Sequence, residues 1–326
     1  MRAWTVHHYG HYREALSLES VEPPKPDADS CVMEVKSAGV MYADLLNIAG
    51  QYQVKAPLPF VPGSEGAGVV VEAGEQCGYR PNDRVVTVNL MGAFAERMLC
   101  VDQVTYRIPD AMSFADAAAL TINYQTGYFA LVHRAGLRAG EWVLVHGGAG
   151  GVGTASIQLA KAMGANVIAT AGGEDKLEVC RRCGADFTVN YRTTDFIDAV
   201  KDITGGMGAD VIVDPVGGDV FDASSKCIAF EGRLIIIGFA SGRIPEIAAN
   251  RILLKNISVV GLFWGSYQTR NNELVRQTQE KLYDLYSKGK IKPVIHREYP
   301  LEELPAALES IESRACIGKP VLTLAR

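Results

Sequence analysis

The chain carries no cluster of lysine or arginine: 32 basic residues stand against 37 acidic ones, for a formal charge of −5. A nucleic-acid or anionic-membrane surface needs concentrated positive charge, so neither partner is expected. No apolar stretch approaches the roughly 20 residues that a bilayer-spanning helix requires, and no basic segment leads into an apolar one at the N-terminus. Cysteine is sparse and odd in number, seven in 326 residues: Cys31, Cys77, Cys100, Cys180, Cys183, Cys227 and Cys316. Scattered through strands and helices, they read as reduced thiols of a cytoplasmic protein, not as a disulfide framework. Cys180 and Cys183 have the spacing of a redox pair, but they fall inside a helical stretch with no second pair nearby and read as ordinary helix residues. Internal repeats and low-complexity tracts are absent as well.

What is present is a globular composition, 48% hydrophobic with 21% charge, and one organising stretch, Val143–Gly153. An aliphatic run ends abruptly in Gly147-Gly148-Ala149-Gly150-Gly151-Val152-Gly153, and Val152, Ala155, Leu159 and Met163 then fall on one helical face. Gly148, Gly150 and Gly153 have the spacing of the dinucleotide fingerprint, in which glycines make a turn, admit a pyrophosphate and let helix and strand pack closely. The free N–H groups and peptide dipoles of the following helix would hold the phosphates.

Before this stretch lie short alternating segments punctuated by Gly and Pro: Met1–Val6, Cys31–Ala38, Gly66–Val71, Asp83–Val88 and Ala95–Val101. They predict a mainly antiparallel β domain interrupted by a short helix near Tyr42–Ala49. From about Ser113 the chain becomes alanine-rich and helical, at Ala115–Leu120 and Ala130–Arg134. Six strands then alternate with helices: Trp142–His146, Asn166–Thr170, Phe187–Asn190, Val211–Asp214, Leu234–Gly238 and Ser258–Leu262. Their near-continuous apolar runs predict a doubly wound parallel sheet covered on both faces. The expected fold is α/β, a six-stranded Rossmann sheet plus an antiparallel β domain. The expected boundaries are a substrate domain at 1–120, a cofactor domain at 121–264 and a segment at 265–326 returning to the first domain.

The strand after the glycines ends in Thr170-Ala171-Gly172-Gly173, without the acid that usually binds a ribose 2′-hydroxyl. That leaves room for a 2′-phosphate, on which Lys176, Tyr191 and Arg192 could converge, so NADPH is the expected cofactor. Glu174 and Asp175 remain alternatives as NAD-type acids.

The chain resembles the medium-chain dehydrogenase/reductase superfamily, and within it the zinc-free NADPH:quinone oxidoreductases (zeta-crystallin-like). The resemblance rests on Pro62–Gly68, His146–Gly153, Asn190-Tyr191-Arg192, Asp214–Gly218 and Gly238–Gly242. It implies a GroES-like first domain and an acceptor cleft between domains. Zinc-dependent members hold metal with a Cys and a His where this chain has Met41 and Ser64, neither of which is a customary zinc ligand, so no metal site is expected. Glu65 remains and reads as a structural residue of its turn. The resemblance places Thr126 near the pyrophosphate or nicotinamide, Gly150, Gly151 and Val152 on the pyrophosphate, and Gly172, Lys176 and Tyr191 on the adenosine phosphate. It lines the nicotinamide side with Val216, Phe239, Ala240, Ser241, Phe263, Trp264 and Gly265, and puts Lys319 near the cofactor. Tyr52 matches a cleft tyrosine whose phenol could donate to an acceptor carbonyl or only shape the pocket. Quinone reductases often carry Asn where Met41 stands, and Asp44 and Asn47 are the polar candidates nearby.

The expected activity is transfer of reducing equivalents from NADPH to a quinone-type acceptor. An enoyl or alkenal double-bond reductase and a non-catalytic NADPH-binding sensor are the alternatives. An apolar edge strand at Ser258–Leu262 predicts a homodimer or higher homo-oligomer.

Overall fold

The computed structural model describes residues 1–324. Its contacts divide into two compact units. The first comprises Met1–Ile122, Arg270–Gln279 and the chain from Pro293 onward; the second comprises Asn123–Thr269 and Glu280–Lys292.

The first unit begins with a hairpin of β1 (Arg2–Val6) and β2 (Leu16–Ser20). β3 (Ser30–Gly39) is the spine of its main sheet and is followed by helix α1 (Tyr42–Ile48). β4 (Glu65–Ala73) and β6 (Arg97–Val101) both pair antiparallel with β3, while β5 (Arg84–Val88) and β7 (Thr105–Arg107) extend the sheet beyond β4. Trp4, Met33, Val35, Phe60, Phe94 and Met98 fill the core beneath this sheet.

Helix α2 runs unbroken from Phe114 to Tyr128 and continues as a π-helical stretch over Phe129–Arg134, where the sequence predicts two separate helical segments. The polar positions between those segments, Thr121, Asn123 and Gln125, are buried in the helix instead of marking a loop.

The second unit is a six-stranded parallel sheet. β8 (Trp142–Val145), β9 (Asn166–Ala171), β10 (Phe187–Asn190), β11 (Ala209–Asp214), β12 (Ile228–Ile236) and β13 (Ser258–Gly261) lie in the order β10-β9-β8-β11-β12-β13. The order reverses between β8 and β11, the switch point at which doubly wound folds bind ligands. Helices α3 (Gly151–Ala162), α4 (Glu174–Arg182), α5 (Phe196–Ile203) and α6 (Gly218–Cys227) connect the strands. Leu144, Ile168, Ile212, Phe221 and Leu234 form the core between sheet and helices. β12 starts six residues before the predicted Leu234, because Glu231 at φ +58° and Gly232 make an irregularity within one strand and not a turn between elements.

The chain then returns to the first unit with β14 (Ile295–Pro300) and β15 (Lys319–Thr323). β15 pairs antiparallel with β3 and parallel with β14, completing a mainly antiparallel sheet.

Candidate cofactor and active site

At the end of β8, Gly147 takes φ +59°, a conformation open to glycine and strained for other residues, and turns the chain toward α3. A Cβ on Gly153 would overlap the Gly147 carbonyl oxygen and lie 2.8 Å from Gly148 Cα, so the first turn of α3 packs directly on the loop. Gly150 caps the helix in extended conformation, and its carbonyl accepts the Thr154 N–H at 2.8 Å. Gly150, Gly151 and Val152 thus border the half-buried N–H end of a twelve-residue helix. Behind the loop, buried His146 contacts Thr170 Oγ1 at 3.0 Å and Ser224 Oγ at 2.8 Å, tying β8 to β9 and α6. Burial lowers its pKa to about 3, so this is a neutral structural imidazole.

Asn123 is a residue the sequence reading missed. A Cβ on Gly151 would overlap its Nδ2, so this buried amide presses on the start of α3. Thr126 lies one helical turn along α2 from Asn123 and is also buried. That i, i+3 pairing ahead of the glycine stretch is the signal that could have found Asn123.

β9 ends at Ala171, and a Cβ on Gly172 would lie 2.6 Å from the Tyr191 hydroxyl and 2.9 Å from Arg192 Nε. The neighbouring parallel strand β10 delivers these two residues, so Gly172, Tyr191 and Arg192 meet at one end of the sheet. Lys176 is the third residue of α4, which starts just beyond Gly173, and is half-buried. Glu174, the candidate ribose acid, accepts from Arg181 at 2.6 Å on the surface of that helix.

Two further loops are joined to each other. Asp214, at the end of β11, accepts the N–H groups of Val216 and Gly217 at 2.8 and 2.9 Å through Oδ1. Its buried Oδ2 has no hydrogen-bond partner, and burial raises the pKa of the carboxyl. Ala240 N–H donates to the Pro215 carbonyl at 3.1 Å, and Ser241 N–H to the Val216 carbonyl at 2.9 Å. This two-rung ladder brings Val216 together with Phe239, Ala240 and Ser241. Gly147 joins them, since a Cβ there would sit 3.8 Å from Val216 Cγ2. Phe263, Trp264 and Gly265 follow β13, the next strand after β12; Phe263 is exposed, whereas Trp264 is buried with its indole N–H unsatisfied.

In the first unit, Asp44 is fully buried on α1. Its Oδ2 accepts the Met41 N–H at 2.8 Å, and Ser64 Oγ lies 3.4 Å from its Oδ1. The Met41 backbone and the Ser64 hydroxyl thus both face this one carboxyl, and Ser64 Oγ also lies 3.4 Å from the Leu90 carbonyl oxygen. Burial pushes Asp44 up to about 7, against the pull of the Met41 N–H and Lys319. Asn47 is buried one turn along, so neither residue belongs to an exposed helix face. Tyr52 is half-buried in the loop after α1, its phenol raised first by burial and then by the Asp44 charge. Lys319 is buried with its ammonium bonded to Glu65, whose other oxygen accepts the Ile122 N–H at 3.0 Å. Among the described residues, no group of three or more His, Cys, Asp or Glu is arranged to hold a metal ion.

A glycine-lined helix start on a doubly wound sheet, together with an antiparallel β unit, defines a dehydrogenase/reductase architecture. Family models for "Zinc-binding dehydrogenase" and "Alcohol dehydrogenase GroES-like domain" match residues 151–280 and 27–110. A quinone oxidoreductase-like protein 2 homolog from Nematostella vectensis is 42% identical over 292 residues, covering 88% of this chain and 80% of its own. The Escherichia coli quinone oxidoreductase structure complexed with NADPH superposes with a TM-score of 0.91 at 29% identity, covering 99% of this chain and all of that one. The CurK enoyl reductase structure superposes at 0.89 with 26% identity, covering 99% of each chain. The chain belongs to the medium-chain dehydrogenase/reductase superfamily, and within it to the zinc-free quinone oxidoreductase type.

Proposed function

We propose that this protein is a zinc-independent NADPH:quinone oxidoreductase. The observation that carries the reading is the junction of Gly172, Tyr191 and Arg192, where a Cβ would fill the space and a phenol and a guanidinium take the place of a ribose-binding acid. Those groups and Lys176 suit a 2′-phosphate, a dianion best held by charge-assisted donors. The cradle bordered by Gly150, Gly151 and Val152 suits the pyrophosphate, with Thr126 and Asn123 supporting it from α2. When bound, NADPH would supply a hydride to the acceptor.

The chain's own residues would then orient and enclose. The ladder between Val216 and the Phe239-Ala240-Ser241 loop gives a rigid wall suited to the nicotinamide, and Phe263, Trp264 and Gly265 would extend it. Trp264 contributes a buried indole N–H as a donor. Tyr52 is the proposed hydrogen-bond donor to the acceptor carbonyl, because burial keeps its phenol protonated. Lys319 enters this reading through Glu65, by fixing the loop that bears Ser64. With Met41 and Ser64 at the metal-ligand positions, polarisation of the acceptor falls to protein donors.

A cytoplasmic homodimer is part of the proposal. It is supported by seven free cysteines and by β13 at the sheet edge, near exposed Leu253 and Leu254. A second reading, reduction of a conjugated C=C bond, is supported by the likeness to an enoyl reductase. Steady-state NADPH oxidation with 1,4-benzoquinone and with an enoyl thioester tests both. Turnover with the quinone and preference for NADPH over NADH are expected; background rates with quinone alongside enoyl reduction would replace the first reading by the second. Tight NADPH binding without oxidation by any acceptor would leave a sensor.

A further inference from the structure

The first unit holds three cysteines that the proposed reaction does not use. Cys31 on β3 stands directly opposite Cys100 on β6 in the antiparallel register, and both are completely buried. Directly opposed antiparallel residues have Cα atoms roughly 4.5–5.5 Å apart, within the span that a disulfide bridges. Cys77 lies in the loop between β4 and β5, partly exposed, and packs on the same core cluster. Cys31 interacts electrostatically with both Cys100 and Cys77, and all three pack in one core cluster that runs from loop to sheet. The other cysteines lie outside this cluster.

We propose that Cys77, Cys31 and Cys100 form a peroxide-responsive thiol–disulfide site, in which Cys77 receives the oxidant and Cys31 resolves it. The Cys77 thiolate attacks one peroxide oxygen; the O–O bond breaks, leaving a sulfenic acid and, after protonation, one water. The Cys31 thiolate then attacks the sulfenic sulfur, the S–O bond breaks, and hydroxide leaves to take a proton as the second water. Two thiols have lost two electrons and two protons, and one hydrogen peroxide has become two waters. Attack of the Cys100 thiolate on Cys31 then releases Cys77 and moves the bond into the sheet. Cys100 and Cys77 favour the Cys31 thiolate, while Asp102 and Asp83 disfavour charge there. Burial raises the Cys77 thiol above its ordinary value, so little of the attacking thiolate is present near neutral pH, and the site responds slowly, to sustained peroxide.

The test treats the purified full chain with excess hydrogen peroxide, blocks remaining thiols and maps non-reduced peptides by mass spectrometry. Peptides joining Cys31 to Cys77 or to Cys100 are expected, reversible by dithiothreitol. Cys77→Ser should slow the appearance of the Cys31–Cys100 link about tenfold or more, since both of those thiols are buried, while Cys180→Ser should leave the rate unchanged. Thermal unfolding of both variants checks that the fold is retained. Linkage at the wild-type rate in Cys77→Ser would overturn the proposal. So would oxidation of Cys77 to sulfinic acid with no cross-link, or zinc or copper bound to these thiols in the purified protein.

Discussion

Lys319 donates its ammonium to the Glu65 carboxylate across 254 residues of sequence, and solvent reaches neither side chain. Gly39 makes the space: a Cβ there would stand 2.5 Å from Lys319 Cε. Burial raises the pKa of Glu65, with Lys319 and the Ile122 and Thr121 N–H groups opposing. The two halves of the pair should therefore fail unequally. Glu65→Gln strands a buried ammonium and is expected to cost about 3–5 kcal/mol. Lys319→Met leaves a carboxyl that burial already biases toward protonation, and should cost less. Urea denaturation measures both. If Lys319 acts only through Glu65, the NADPH Kd of folded Lys319→Met stays near wild type.

Asp44 makes stability depend on pH with a definite sign. Its pKa is raised to about 7 in the folded chain, whereas an unfolded aspartate titrates near ~3.9. Between those values the folded state holds a proton that the unfolded state has released. The contribution is thus present in full below about pH 4 and is lost as pH rises through about 7. Asp44→Asn, which keeps an acceptor for the Met41 N–H, should flatten this profile and stabilise the protein at pH 8 by about 1–3 kcal/mol relative to wild type. The difference between the two proteins' urea midpoints at pH 5 and pH 8 isolates Asp44 from other raised carboxyls such as Asp214.

The 2′-phosphate reading predicts a coenzyme-specific defect. Arg192→Ala should raise KM for NADPH about tenfold, the worth of one charge-assisted hydrogen bond, and leave KM for NADH nearly unchanged. Equal effects on both coenzymes would assign Arg192 to another role.

Much of this architecture is written locally. The apolar runs of β8, β9 and β11 and the glycines after β8 announce strand, turn and helix, because burial on both faces and a close helix approach leave few residue choices. β2 gives no such signal: Leu16–Ser20 is largely exposed and pairs only with β1. Gly127 falls between the two helical segments expected from the sequence but is interior to α2, and a Cβ there would lie 3.1 Å from Leu159 Cδ1, so its role is to admit α3. Within the site, the glycine loops are legible, and so is the convergence of Lys176, Tyr191 and Arg192 once a doubly wound topology is read; the closeness of approach and the buried ion pair are not. Nothing near Glu65 points to Lys319, and nothing near Gly172 marks how closely β10 will deliver Tyr191 and Arg192.

The proposed dimer rests on the β13 edge and on the short helix Ala249–Lys255 that precedes it in the chain, whose Leu253 and Leu254 are 74% and 77% exposed. A paired Leu253→Glu and Leu254→Glu change would bury charge at such an interface, which proteins strongly disfavour. Light scattering should report a dimer for the wild-type chain and a monomer of unchanged secondary structure for the variant. A wild-type monomer at micromolar concentration would remove the dimer from the proposal.

Gly150 and Gly153 separate the demands of the fold from those of the cofactor. Gly153→Ala drives its Cβ into the Gly147 carbonyl and the Gly148 backbone, neither of which can move without opening the turn. It should lower stability by about 1–3 kcal/mol, as overpacking does, and weaken NADPH binding with it. Gly150 has φ −80°, and a Cβ there meets nothing closer than 3.4 Å. Gly150→Ala should thus fold with a near wild-type melting temperature. Its methyl group would nonetheless stand where the pyrophosphate must approach the backbone, and NADPH Kd should rise tenfold or more. Calorimetric titration alongside thermal melts distinguishes the two; wild-type affinity in Gly150→Ala would move the pyrophosphate away from this end of α3.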